Sequence, residues 1–151
     1  RNRFVEDWVM RGRNRSGRVR SVPRNDGALP LLQVLKEGMR LHYSPDMDFG
    51  MHGAQWTDFF GVSAATTYSL PRLAKLSQAR VCMLVTRLTP SGYEVEIGPV
   101  WPSYPSGNIT ADTWTMNQAI EAQVKTSVEQ YYWVHKRFKT RPQGEPPFYE
   151  H

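Results

Sequence analysis

The run "RVCMLVTRL" at residues 80–88, with the turn "TPSG" and the alternating stretch "YEVEIG" (93–98) behind it, constrains the fold more than any other part of this chain. A short apolar, β-branched run bounded by turn residues reads as a buried strand, and the alternation after the turn as a half-exposed one. Immediately upstream, "TTYSLPRLAKLSQA" has helical spacing, with Pro71 tolerated near its start. Helix and strand signals alternate through the rest of the chain. "RNRFVEDWVMRGR" sets Phe4, Val5, Trp8 and Val9 on one helical stripe with Gly12 as its stop, and "RVRSV" (18–22) reads as a short strand. "RNDGALPLLQVLKEG" reads as a helix with Asn25 or Asp26 as N-cap, Leu31, Leu32 and Leu35 as buried stripe and Gly38 as stop. "MRLHYS" (39–44) is a second short strand, and "PSGNITADTWTMNQAIEAQVKTSVEQYYWVHKRF" a long helical tract capped near Asn108 or Thr110. This order predicts an α/β layered fold, a mostly parallel sheet flanked by helices, with room for one hairpin strand. With neither internal repeats nor a low-complexity linker, the 151 residues read as one domain or a large part of one.

Charge is distributed unevenly. The formal net charge is +5, and residues 1–24 hold eight arginines against Glu6 and Asp7. A second basic cluster is Lys136, Arg137, Lys139 and Arg141. Fourteen arginines against five lysines favour bidentate recognition of phosphate or carboxylate over diffuse attraction. Nucleic acid is not the expected partner, because the N-terminal arginines have few aromatics beside them and no RNP, KH or zinc-finger pattern occurs. No stretch approaches the roughly 18 consecutive apolar residues of a membrane span. The single cysteine, Cys82, lies in the apolar run and is expected as a buried core thiol, so no metal site can be drawn from cysteine.

Two segments carry candidate chemistry. In an open α/β sheet, ligands gather beyond the carboxyl ends of strands, where "HYSPDMDFG" (42–50) falls. Asp46 and Asp48 there suit a metal, the orientation of a base, or plain turn chemistry, and the spacing leaves all three open. In "RGRNRSGR" (11–18), Arg11, Arg13 and Arg15 can clamp a phosphate with their side chains; neither G-x-G-x-x-G nor the P-loop pattern is present. None of His42, His52, His135 and His151 sits at a recognisable catalytic spacing, and without G-x-S-x-G a serine hydrolase is not expected.

Several segments together carry a resemblance. "DWVMRGRNRSG", "YSPDMDFG", "FFGVSAATT", "PSGNITADTWTMNQAIE", "EQYYW" and the ending "WVHKRFKTRPQGEPPFY" resemble, in this order, segments of the bacterial lipid A biosynthesis (lauroyl/myristoyl) acyltransferases. The resemblance covers essentially residues 1–150. It implies a glycerolipid-acyltransferase-like α/β fold and transfer of a fatty acyl chain from acyl-carrier-protein to a hydroxyl of a Kdo-bearing lipid A precursor. The implied place is the cytoplasmic face of the inner membrane, with an acyl-carrier-protein thioester as donor and no other cofactor or metal. By the family's blocks, Arg13 and Asp46 match functional positions. Arg11 and Arg15 would help hold the acceptor, and Arg137, Lys139 and Arg141 would meet anionic headgroups, dock acidic acyl-carrier-protein, or tie the C-terminal segment to the sheet. One departure matters. The family's first block is a histidine followed after four residues by Asp or Glu, whereas five residues after His42 stands Met47 and after His52 stands Thr57. The family's N-terminal membrane helix is also absent. The chain is therefore expected to correspond to the C-terminal part of such an enzyme and, by itself, to be inactive or nearly so.

Overall fold

The computed structural model describes residues 3–23 and 26–150. The chain divides into two compact units, Arg1–Leu41 and His42–His151.

The first unit holds two helices, α1 (Arg3–Asn14) and α2 (Leu29–Lys36). α1 continues through Gly12 and stops two residues later, where Gly17, at φ +66°, returns its N–H to the Asn14 carbonyl. In α2 the N-cap is Ala28 with no side-chain cap, Pro30 sits in the first turn, and Val34 is the buried residue, with Leu31, Leu32 and Leu35 half-buried. Asp26 is therefore not the cap, and Asn25 lies outside the described residues. Gly38 is the stop as expected, at φ +79°. "RVRSV" and "MRLHYS" form no strand. The unit is tied by an Arg20–Glu37 ion pair at 3.6 Å, exposed on both sides and worth little in water.

The second unit contains β1 (Ala54–Phe59), β2 (Val62–Thr67), α3 (Ser69–Ser77), β3 (Cys82–Thr89), β4 (Gly92–Val100) and α4 (Ile109–Thr126), then a single 3-10 turn, Val128–Gln130. The mixed α/β character agrees with the sequence. The pairing does not: both sheets, β1–β2 and β3–β4, are two-stranded and antiparallel rather than mostly parallel. The connections explain this, since two-residue turns join antiparallel neighbours and a parallel pair needs a long crossover. The first turn, Phe60–Gly61, has positive φ at both residues (+52° and +74°), the requirement of a type I′ hairpin. A bulky residue at positive φ is uncommon; the Glu121 carboxylate holds it by accepting the Phe60 N–H at 2.7 Å.

α4 starts where expected. Asn108 accepts the Ala111 N–H at 3.1 Å, and Asp112 accepts the N–H groups of Ser106 and Gly107. It ends at Thr126, far short of the predicted tract, because Ser127 leaves helical geometry (φ −156°, ψ 63°). α4 packs on the β1–β2 hairpin with an inner face that is largely polar. Asn117 donates to the Asp58 carbonyl at 2.6 Å, and Glu121 holds both Phe60 and Lys125. The Lys125 hydrogen bond, then the Phe60 N–H, pull the Glu121 carboxyl below its ordinary range. The apolar core gathers Phe59, Ala64, Val124 and Phe138, with Ile120, Tyr131 and Tyr149 packed against it. Burying each phenylalanine contributes about 2–3 kcal/mol. Pro71, Leu73 and Ala74 are the buried residues of α3, and Pro71 is in its first turn as expected.

The hairpin β3–β4 departs from expectation in burial. β3 alternates between half-buried and exposed, and Cys82 is exposed rather than a core thiol. Among the described residues no helix is long and apolar enough to cross a membrane.

Candidate active site

Asp48, fully buried at 0% exposure, organises the loop that leaves Leu41. Its carboxylate accepts the N–H of Gly50, the N–H of Thr140 and the Thr140 hydroxyl, each at 2.8 Å. Its own N–H donates to His135 Nε2 at 2.7 Å. Two stretches far apart in sequence, "SPDMDFG" and "HKRFKTR", are thereby joined across 87 and 92 positions. Gly50, at φ +82°, supplies the reversal that brings its N–H onto Asp48.

That anchor sets Asp46, two residues upstream and half-buried, on the wall of a cleft of about 230 Å³. The other walls are β3 (Met83–Arg87) and the end of α4 with the 3-10 turn, including Gln130 and Tyr131. The Tyr131 phenol is pushed well above its ordinary range, first by burial and then by the charge of nearby Asp46. Asp46 and Tyr131 both line the cleft. The cleft mixes this polar pair with aliphatic surface from Val85, Ile120 and Val124.

Arg137, within electrostatic reach of Asp46, is 1% exposed. Its guanidinium donates to the Ala65 carbonyl (2.8 Å), to Thr66 Oγ1 (2.6 Å) and to Asn117 Oδ1 (3.4 Å), and lies 5.3 Å over the Phe59 ring. Burial pulls its pKa down, with Asp48 and Asp46 among the groups holding the charge on. Arg141 donates to the Ser63 carbonyl at 2.7 Å, pairs with Glu145 and stacks on Phe148. So Arg137, expected among the groups that meet an anionic partner, is instead enclosed, and Arg141 is largely spent on β2 and its own turn. Lys136 and Lys139 are the exposed bases of the cluster. A turn closed by the Lys139 N–H on the Lys136 carbonyl at 3.2 Å is the reason: its two central residues, Arg137 and Phe138, enter the core while Lys136 and Lys139 at its ends face water.

In the first unit, Arg11 and Arg13 lie in the last turn of α1 and Arg15 just beyond it, all exposed. Residues two apart on a helix diverge by about 200°, so the alternate spacing does not make Arg11 and Arg13 a single clamp. Both oppose the negative end of the helix dipole favourably. Among the described residues no three His, Cys, Asp or Glu gather as a metal site.

His135 and Tyr131 are the residues that sequence reasoning passed over. His135 lacks a catalytic spacing, and only the fold brings it to Asp48. Its ring is held neutral: burial first, then the Lys139 charge, lower its pKa against the opposing pull of Asp48 and Asp46. Because Nε2 must be unprotonated to accept the Asp48 N–H, the unfolded chain takes up this proton near pH 6.5 while the fold resists to lower pH. Stability from this group is thus complete above about pH 6.5 and falls as pH drops through the lower folded value. Equilibrium urea unfolding between pH 5 and 7 should show that slope, and H135Q, which keeps an acceptor but cannot titrate, should flatten it.

The profile of a family described as bacterial lipid A biosynthesis acyltransferase matches residues 1–140. The chain belongs to this family. It is 37% identical over 153 residues to the lipid A biosynthesis palmitoleoyltransferase of Escherichia coli (strain K12), covering 98% of this chain and 49% of that protein. The lauroyltransferase of the same organism is 35% identical over 95% of this chain and 47% of its own length, and the myristoyltransferase 32% identical over 91% and 43%. This family member thus spans about half the length of the curated relatives it matches.

Proposed function

We propose that this chain contributes the Asp46 cleft of an acyltransferase that moves a fatty acyl group from acyl-carrier-protein to a hydroxyl of a Kdo-bearing lipid A precursor at the cytoplasmic face of the inner membrane. The observation that carries the reading is Asp46 held on the cleft wall beside a neutral Tyr131, with its loop fixed by the buried Asp48. In the reaction the acceptor hydroxyl oxygen bonds to the thioester carbonyl carbon, the C–S bond breaks, and the proton ends on the departing thiol. Such a step needs a base, donors for the developing oxyanion and firm alignment of both substrates. Asp46 serves alignment, orienting a substrate hydroxyl or a cationic partner. Arg13, with Arg11 and Arg15, supplies charge for the phosphorylated, carboxylate-rich acceptor, and Lys139 supplies it for anionic headgroups or carrier protein. The base itself comes from a histidine block that this sequence does not contain. A glycerolipid-acyltransferase-like sheet larger than the two hairpins belongs to the same reading.

A cleft of about 230 Å³ is below the roughly 300–1,000 Å³ of complete ligand sites, in keeping with a site to which other chain contributes. The isolated chain is therefore expected to give no acyl transfer. The test is a chimera in which these 151 residues replace the matching segment of the E. coli palmitoleoyltransferase. D46N should cut kcat/KM about 10²-fold or more through lost alignment, and R13A should act mainly on KM for the acceptor. Unchanged rates in both, or robust turnover by the isolated chain, would sink the proposal. The same chimera offered another anionic glycolipid tests acceptor choice. A noncatalytic module docking acyl-carrier-protein or membrane through Lys136 and Lys139 would instead bind without turnover.

A further inference from the structure

Strand β3 is paired with β4 along one edge only. In an antiparallel strand the N–H and C=O of one residue leave on the same side, and successive residues alternate. Gln130 reveals the phase. Its side-chain carbonyl accepts the Leu88 N–H at 2.7 Å and its amide donates to the Leu88 carbonyl at 3.1 Å. The side chain thus stands in for a neighbouring strand at one residue and closes the free edge there. From Leu84 to Thr89 the register with β4 is unbroken, the irregularity lying between Cys82 and Leu84. Leu84 and Thr86 therefore share the phase of Leu88 and turn their N–H and C=O to the same free side. Both line the cleft, opposite the His42–Asp46 segment. Among the described residues, no backbone or side-chain group bonds to these outward groups.

The hairpin is open on its face as well as its edge. The cross-strand pairs Leu84–Ile97, Thr86–Val95 and Leu88–Tyr93 lie on one side, with Tyr93 78%, Ile97 68% and Val95 57% exposed. An isolated two-stranded ribbon is marginal in water, and a flat apolar edge is a template for another strand.

We propose that the free edge of β3 at Leu84–Thr86 accepts an extended apolar strand from the part of a family polypeptide that lies outside this chain's match, and that the same part covers the Tyr93–Val95–Ile97 face. The occupant is indicated by length: the matched segment is 49% of the palmitoleoyltransferase, so a comparable length of relative lies outside it. It is indicated also by position, because Gln130 stops the seam at Leu88 and leaves it open only along the cleft. A strand seated there runs beside Asp46, where the acyltransferase reading requires a base from elsewhere, and to that extent the inference rests on that reading.

The test is co-expression of the tagged chain with the portion of the E. coli palmitoleoyltransferase outside the match, followed by native mass measurement and residue-resolved amide exchange. The expected result is a one-to-one complex in which the Leu84 and Thr86 amides exchange about tenfold or more slowly than in the chain alone, while Leu88, already bonded, changes little. Thr86→Pro removes one seam donor, and I97K with V95K charges the face without touching the β3 backbone; each should weaken capture about tenfold or more. Absence of co-purification, or a complex with Leu84 and Thr86 exchanging as before, overturns the proposal. So does slowed exchange in the chain alone at the mass of a dimer, which would make a second copy the occupant. Asp46→Asn separates the two readings: capture should be unchanged by it, so a complex whose acyl transfer is also unchanged defeats the acyltransferase role of Asp46 and leaves the seam standing.

Discussion

Substituting Arg137 by methionine is expected to lower the folding free energy of the chain by about 3 kcal/mol, the range seen when one member of a buried polar network is removed. The guanidinium, 1% exposed, satisfies the Ala65 carbonyl, Thr66 Oγ1 and Asn117 Oδ1 at once. Methionine matches much of its volume but returns none of these bonds, and it leaves Asp48 and Asp46 without their nearest buried cation. R137K should recover little. A single ammonium cannot address two acceptors on β2 in the fork geometry of arginine and also stack on Phe59. Urea unfolding monitored by tryptophan fluorescence gives the midpoints. A midpoint for R137M within error of the parent would mean that Arg137 contributes no net stability.

Asp48→Ala should cost at least as much, about 3–5 kcal/mol, because it strands buried donors as well as deleting an acceptor. The N–H groups of Gly50 and Thr140 and the Thr140 hydroxyl all lose their partner. D48N keeps one acceptor oxygen and should fall between. The consequence reaches the cleft, since Asp46 is positioned through Asp48. In the chimera, D48N should therefore lower kcat/KM even at temperatures where the protein remains folded, whereas R137M should act chiefly through stability. The same urea series and an acyl transfer assay at low temperature distinguish the two effects.

What could be read beforehand follows the range of the forces involved. Asn108 was legible as a cap because capping acts over three residues. α3 and the two strands around "TPSG" were legible because period and turn chemistry are local. The β1–β2 hairpin was not, since its turn is Phe60–Gly61 rather than an Asn-Gly or Asp-Gly pair, and the aromatic-rich stretch around it reads as loop. The end of α4 was missed because "SVEQYYWVHKRF" continues a plausible helical pattern, and only the dihedral break at Ser127 stops it. Cys82 and its neighbours look like core by composition. Their exposure reflects what stands beside the hairpin, which no window of sequence reports.

The candidate site divides the same way. Collinear short segments sufficed for membership of the lipid A acyltransferase family, and they drew attention to Asp46 and Arg13. Local sequence also carried the charge distribution, the helix caps and the strand–turn–strand of β3 and β4. The tertiary structure alone decided which charges are spent inside. Thr140 reaches Asp48 across 92 positions, His135 reaches it across 87, and Arg137 reaches Ala65 across 72. Propensity and turn chemistry act within a few residues, whereas burial of a charge depends on partners that only the completed fold brings within hydrogen-bond reach.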